Sequence, residues 1–430
     1  MSTATGLFTG GSRVFGFGSF RSRVFRILTM FVFVVGGCLV SAAVPVLAQQ
    51  PTIQSVHKQA QVALHGPDGV GKDGPLSRLG SALSMLYFEH DAFAKSGKSG
   101  SFTSSIIGSD VSGEVVTVDA TARGDAAALE SALWQAGAER VKRYKHLVSA
   151  RIPIDRIPDV AALSSLRSAT LSVALTSRKA ITSAELERRA RLTRERLEVR
   201  AMTGATTSQG DEAMNSDDVR STFGIDGAVV KVGSLSDSYD TNVSATTSAA
   251  DDIASGDLPP ANRIDIVDDG IARSDEGRAM MQLIHDVVPG AEQAFHTAFG
   301  GQADFAQGII DLADAGSDVI VDDVGYLTEP FFQDGVIAQA VDEVASRGIP
   351  YFSSAGNAAT NSYETDVMNF VVRSDGTTEA FDFDTSASVD TTQSFTLPVG
   401  FTANVGLQWD DPYFAASGDP GFAADTDIDF

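Results

Sequence analysis

Between residues 229 and 353 the chain alternates short, continuous apolar runs with segments of helical period, and few folds accommodate that alternation. Residues 229–235, 264–267, 294–298, 319–324 and 349–353 read as strands without a polar face. Residues 276–287, 305–315 and 332–347 read as helices; in the first, Met280, Met281, Leu283, Ile284 and Val287 share one side. A strand that is apolar on both faces must be covered on both. In alternation with helices this predicts an α/β domain built on a doubly wound parallel sheet. Chemistry in such folds sits outside the carboxyl ends of the strands. That directs attention to Asp237, to Asp322 and Asp323, and to Asn357, each of which ends or follows a strand.

The flanks have different patterns. Residues 113–176 place strands at 115–118, 141–152 and 169–175 and helices at 125–136 and 157–166, an order that suits a small α+β sandwich of ferredoxin-like type. Ahead of it are a loop at 66–75 rich in Gly, Pro and Lys, a helix at 76–95 and a polar loop at 96–109. After it, residues 184–202 form a charged helix or linker with six Arg between 188 and 200. Such a run is a solvated helix face or a basic site for proteolytic processing. Beyond Asn357 the segments 367–372, 378–383, 394–397 and 403–409 are short and alternating, which predicts an antiparallel β module. The sequence reaches Phe430 within a period-two run and reads as a fragment. The expected organisation is a signal peptide at 1–48 and an N-terminal unit at 49–204, with the α+β sandwich at 113–176 and a charged linker at 180–204. An incomplete α/β domain at 205–365 and an incomplete β-rich inserted module at 366–430 follow.

Charge separates the two halves. The net charge is −24 over 430 residues, to which 1–48 contribute +4, 49–200 contribute +5 and 201–430 contribute −33. Nucleic acid is excluded as a partner, because phosphate binding needs a basic face. Opposite charge favours association of the halves. Arg21, Arg23 and Arg26 precede an apolar run at 27–40, and small residues follow up to Val46-Leu47-Ala48, the pattern of a secretory signal peptide. A membrane anchor would need about 20 apolar residues. Pro45 and the small residues argue against it, so no stable anchor is expected once the signal is removed. A lipoprotein site at Cys38 fits poorly, since the apolar run continues past it. Cys38 is the only cysteine, so a disulfide framework and a cysteine zinc site are both excluded.

Three segments in order resemble the subtilase superfamily. Val232-Gly233-Ser234-Leu235-Ser236-Asp237-Ser238 is similar to the strand that ends in the catalytic Asp. Asp275-Glu276-Gly277-Arg278-Ala279-Met280 is similar to the segment that opens the central helix, with Glu276 where His is expected. Ile349-Pro350-Tyr351-Phe352-Ser353-Ser354-Ala355-Gly356-Asn357 is similar to the strand ending in the oxyanion-hole Asn, and 318–325 resembles the strand that lines the substrate. The resemblance spans 205–360. It implies a subtilisin-like fold, a secreted serine endopeptidase acting on protein or peptide substrates, and a prosegment of ferredoxin-like order that partners the peptidase domain within the chain. Glu in the base position is the sedolisin signature, but sedolisins place an Asp where Met280 stands and an Asp at the oxyanion position where Asn357 stands. The resemblance therefore implies Asp237 as the partner of Glu276, with Asp323 as the second candidate.

The nucleophile is missing: the family's Gly-Thr-Ser-x-x-x-Pro motif occurs nowhere in 1–430. Ser417-Gly418-Asp419 superficially resembles the sedolisin Asp segment but reads as a turn. A free Glu titrates near pH 4.3, about two units below His, so a Glu base suits acid conditions unless its pKa is raised. Two adjacent carboxylates share a proton, and Asn357 would donate its amide to the oxyanion. Each of these residues also has a structural reading: Asp237 as a loop cap and Glu276 as an acid at a helix N-terminus. His285 reads as a surface or core residue rather than the base, and the six His form no ligand pair on a helix face. No cofactor is expected. Asp425, Asp427 and Asp429 share a strand face that is either solvated or a calcium site. The alternative function is a non-catalytic, subtilase-like extracellular binding protein.

Overall fold

The protein is described here from a computed structural model that covers residues 28–36, 53–67, 69, 71–97, 100–106, 111–176, 204–356, 362–365, 369–372, 379–384, 386, 388–392, 401–419 and 421–424. Three candidate features lie outside those residues: Asn357, the arginine-rich 184–202 segment and the Asp425, Asp427 and Asp429 strand face. The expected strand at 394–397 does too.

The N-terminal domain is a five-stranded antiparallel sheet with helices on one face. β2 (Val111–Ser112) and β3 (Val115–Ala122) are followed by a helix at Ala126–Gln135, the hairpin of β4 (Glu139–Tyr144) and β5 (Leu147–Pro153), a short helix at Ile157–Ala161, and β6 (Leu166–Leu171). Along the sheet the order is β6-β3-β5-β4, with β2 extending the β6 side of β3, and the pairs are antiparallel. This is a split βαβ order. The single strand expected at 141–152 is two, β4 and β5, separated by a tight turn in which Lys145 takes a positive φ of 52°. The helix expected at 157–166 stops at Ala161, and a helix at Ile53–His65 forms where none was expected. Asp125 starts the 126–135 helix by accepting the Ala127 N–H at 2.9 Å.

Alternation splits β3 and β5 between two environments. Val116, Val118, Ala120 and Ala122 join Val148, Ala150 and Ile152 in an apolar core under the helices. The opposite face carries Thr117, Asp119, Thr121, Ser149 and Arg151, which are also buried. A buried polar face needs hydrogen-bonding partners, and for Asp119 and Ser149 the second domain supplies them.

That domain holds five parallel strands in the order β13-β11-β8-β10-β9, comprising β8 (Lys231–Ser236), β9 (Ile264–Asp268), β10 (Glu292–Thr297), β11 (Val319–Asp322) and β13 (Tyr351–Ser353). The Glu276–Val287 helix packs against β8 and β10. The Gln302–Asp314 helix crosses from β10 to β11 and packs against both sheets of the molecule, touching β4 and β5 of the N-terminal domain. Tyr144 and Leu147 therefore share a core with Phe305, Ile309, Ile337 and Val344. The run expected as one strand at 319–324 breaks at Asp323, and β12 (Val324–Tyr326) leaves the parallel sheet to pair antiparallel with β7 (Ala174–Thr176).

The C-terminal residues are antiparallel, as expected. β15 (Phe370–Val372) pairs with β16 (Glu379–Phe381), and β17 (Phe401–Trp409) pairs with β1 (Leu28–Gly36), whose other neighbour is β14 (Ser362–Thr365). Residues 28–36 of the signal-like segment's apolar run thus form the central strand of a small sheet. Ser417, expected in a turn, ends a short helix at Phe414–Ser417 that Gly418 caps.

Candidate functional site

β8 is the central strand of the parallel sheet, with β10 on one side and β11 on the other. From β8 the chain crosses to β9 on one side, and from its neighbour β11 to β13 on the other, so a topological switch point lies between the carboxyl ends of β8 and β11. Asp237 stands there, 4% exposed. One of its carboxylate oxygens accepts the N–H of Ser238 at 2.6 Å and of Glu276 at 2.7 Å, with a longer contact from Gly277 at 3.4 Å. The other accepts the N–H of Ser274 at 3.0 Å and the Ser274 hydroxyl. The Thr297 hydroxyl, from β10, donates to the Asp237 carbonyl at 2.8 Å. The carboxylate is thereby seated on the N-terminus of the Glu276–Val287 helix, where unpaired N–H groups and the helix dipole favour negative charge.

Glu276 is the first residue of that helix and is half-buried. The residue before it, Asp275, takes a left-handed backbone with φ 59°. Such a conformation in a non-glycine residue costs on the order of 1–3 kcal/mol and persists where the surroundings over-determine it. Here the Asp275 carboxylate accepts the N–H groups of Thr241 at 2.9 Å and Asn242 at 3.0 Å and the Ser238 hydroxyl at 2.8 Å. Its own N–H donates to the Ser238 hydroxyl oxygen at 2.9 Å. Arg278 follows, 5% exposed, in a cage of Asp240, Asp252 at 3.0 Å and Asp275 at 3.4 Å.

Asp323 occupies the break between β11 and β12. Burial pushes its carboxyl pKa up, the charges of Asp322 and Asp237 push in the same direction, and the Ser236 hydroxyl opposes them. Asp237, Glu276 and Asp323 therefore share one end of the sheet. Asp322, 3% exposed, instead ties strands together: it accepts the Val324 N–H and the Ser353 hydroxyl, each at 3.0 Å.

Beside this group runs the β7–β12 pair. Thr176 lies opposite Val324, Leu175 opposite Gly325 and Ala174 opposite Tyr326. The chain leaving the N-terminal domain is thus an extended strand laid on the edge of β12, and its direction carries it towards Asp323. The N-terminal domain makes further contacts. Asp119 accepts the Gln302 N–H at 2.9 Å and the Ser149 hydroxyl at 2.5 Å, and the Ser149 hydroxyl oxygen accepts the Ala303 N–H at 2.9 Å. Both side chains thus cap the Gln302–Asp314 helix from outside its own domain. Gly301 allows the approach: its φ is 103°, and a Cβ there would lie 2.4 Å from the Ser149 hydroxyl oxygen.

No family model and no curated protein matches the chain. It is similar in structure to fervidolysin from Fervidobacterium pennivorans, a keratinolytic enzyme related to subtilisin. The identity is 14% and the TM-score 0.30, over 59% of this chain and 41% of fervidolysin. The chain thus spans less than half the length of that enzyme. Among the described residues, no helix is long and apolar enough to cross a membrane.

Sequence spacing did not show the roles of Ser274 and Asp275 in seating the helix. Nor did it show a second group, Asp268, His296 and Asp304, in which one potential metal-binding atom from each lies within 4.8 Å of the others. The three residues come from β9, β10 and the Gln302–Asp314 helix. His285, expected in a surface or core position, is buried, and burial lowers its pKa.

Proposed function

We propose that this chain is the precursor of an exported, subtilisin-like endopeptidase whose cleft binds extended peptide, with its own N-terminal domain as the resident occupant. The observation that carries this reading is the antiparallel β7–β12 pair. An extended peptide added to an exposed strand gains main-chain hydrogen bonds independent of sequence and side-chain specificity at alternate positions. The strand added here points towards Asp323, at the sheet end that also holds Asp237 and Glu276. In this reading Glu276 is the general base and Asp237 seats it, with Asp323 the second carboxylate able to share its proton. Asn357 would supply the oxyanion donor.

A second reading is supported by a different observation. The Gly-Thr-Ser-x-x-x-Pro motif is absent from 1–430, which favours a protein that binds extended peptides without cleaving them. Both readings require the same cleft. The test is Leu175→Pro in the full chain, since proline lacks the N–H that a strand donates. A fluorescent extended peptide of the sequence 170–178 should bind this variant at least tenfold more tightly than the unaltered chain. Equal, weak binding to both would remove the cleft and both readings with it.

A further inference from the structure

His296 and Asp304 are 1% and 2% exposed, and the geometry around them is that of a built site. His296 Nδ1 lies 2.7 Å from the Thr297 carbonyl oxygen, so it carries the proton and donates it. That fixes the tautomer and leaves the Nε2 lone pair available, with Asp311 Oδ2 at 4.0 Å. Metal-bound imidazoles are oriented in the same way, by a carbonyl or carboxylate on the other nitrogen. Gly308 makes room for the ring, since a Cβ there would sit 2.5 Å from His296 Nδ1. Asp304 Oδ2 is buried and has no hydrogen-bond partner among the described residues. A buried carboxylate oxygen left in that state is costly.

A cation from the other domain already faces this group. Arg140 Nη2 donates to both carboxylate oxygens of Asp268, at 2.8 and 2.7 Å. Arg140 has a positive φ of 47° and lies where the β4–β5 register shifts between Glu139 and Lys142. A bulge re-aims a side chain, and a strained non-glycine backbone marks a position held by its surroundings.

We propose that Asp268, His296 and Asp304 are the ligands of a divalent transition-metal site, and that Arg140 fills its charge position while the two domains are in contact. Two carboxylates and a neutral imidazole carry a charge of about −2, which a divalent ion balances and one guanidinium only halves. The imidazole selects a transition metal over calcium. Zinc takes such ligands at about 2.0–2.2 Å, often three of them with water in the fourth position. Tetrahedral ligands at that distance are roughly 3.4 Å apart, so closure needs side-chain movement of about an ångström.

Zinc titration of the full chain by calorimetry, with cobalt absorption as a second readout, tests it. Unaltered protein should bind Zn²⁺ weakly. Arg140→Ala and the larger Arg140→Gln should bind one ion at least tenfold more tightly and give the intense visible band of four- or five-coordinate Co²⁺. Adding His296→Ala or Asp304→Asn to Arg140→Ala should abolish the gain while far-UV circular dichroism is retained. Equal affinity in the unaltered and Arg140 variants, no binding by either Arg140 variant, or tight binding that survives His296→Ala would each overturn the assignment.

Discussion

The carboxylate of Asp237 accepts the backbone N–H of Glu276 at 2.7 Å, so the acid that ends the central strand also seats the first residue of the next helix. Hydrogen bonds to a charged acceptor contribute about 1.5–3 kcal/mol. Asp237→Ala, which strips the acceptor from the N–H groups of Ser274, Glu276 and Gly277, should destabilise the fold by about 1–3 kcal/mol, and Asp237→Asn by less. Guanidinium unfolding gives the numbers; an unchanged midpoint for the alanine variant would mean that the carboxylate contributes nothing to folding.

Glu329 yields a pH prediction. Burial raises its pKa from 4.5 to about 7, with the Asp322 charge adding and the N–H groups of Ala338 and Ile337 opposing. A carboxyl whose folded-state pKa is raised stabilises most below its unfolded pKa and loses that contribution as pH rises through the folded value. The loss should therefore fall between about pH 4.5 and 7 and amount to on the order of 3 kcal/mol. Glu329→Gln has no such loss, so its stability relative to the unaltered chain should rise across that window. Parallel pH profiles for the two proteins would refute the assignment.

The two halves should associate in solution, since residues 49–200 balance at +5 and 201–430 at −33. Salt should slow association, because exposed charges are screened over a Debye length of about 8 Å at 0.15 M. Affinity retained in high salt should come from the shared apolar core around Tyr144 and Leu147. Asp119→Ala removes the acceptor of the Gln302 N–H and should weaken association by about 1–3 kcal/mol. Calorimetry on separately expressed halves measures all three effects; absence of binding at any salt concentration would make residues 49–200 an independent domain.

Purified 1–430 should hydrolyse no peptide at any pH, since its sequence holds no Gly-Thr-Ser-x-x-x-Pro segment. Casein turnover that a serine-directed phosphonate abolishes would reveal a nucleophile of another kind.

The parallel sheet was legible where apolar residues occupy both faces of a strand, as Val232 and Leu235 do in β8 and Val319, Ile320 and Val321 in β11, and the carboxyl ends of those strands then led to Asp237; β10 buries Gln293, His296 and Thr297 and is not an apolar run. The β4–β5 hairpin was not. Its turn passes through Tyr144-Lys145-His146, with the positive φ carried by Lys145 rather than by a glycine or asparagine. The outer face of the N-terminal sheet was illegible for another reason. Thr117, Asp119, Thr121 and Ser149 have the period of a solvated face but are buried, and two of them, Asp119 and Ser149, accept helix N–H groups that lie 183 and 154 residues away in sequence. Asp268, His296 and Asp304 escaped for the same reason: periodicity reports on one element, and this group is assembled from three.

The Gln302–Asp314 helix has one further consequence. The acceptors for its first two N–H groups, at Gln302 and Ala303, belong to the other domain. Parting the domains therefore does not separate two finished surfaces; it uncaps a helix that the parallel sheet needs for its crossover from β10 to β11. Any departure of the N-terminal domain is in part an unfolding event at residues 302 and 303. The amide protons of those two residues should then exchange with solvent at the rate at which the interface opens, long before the strands on either side of them do.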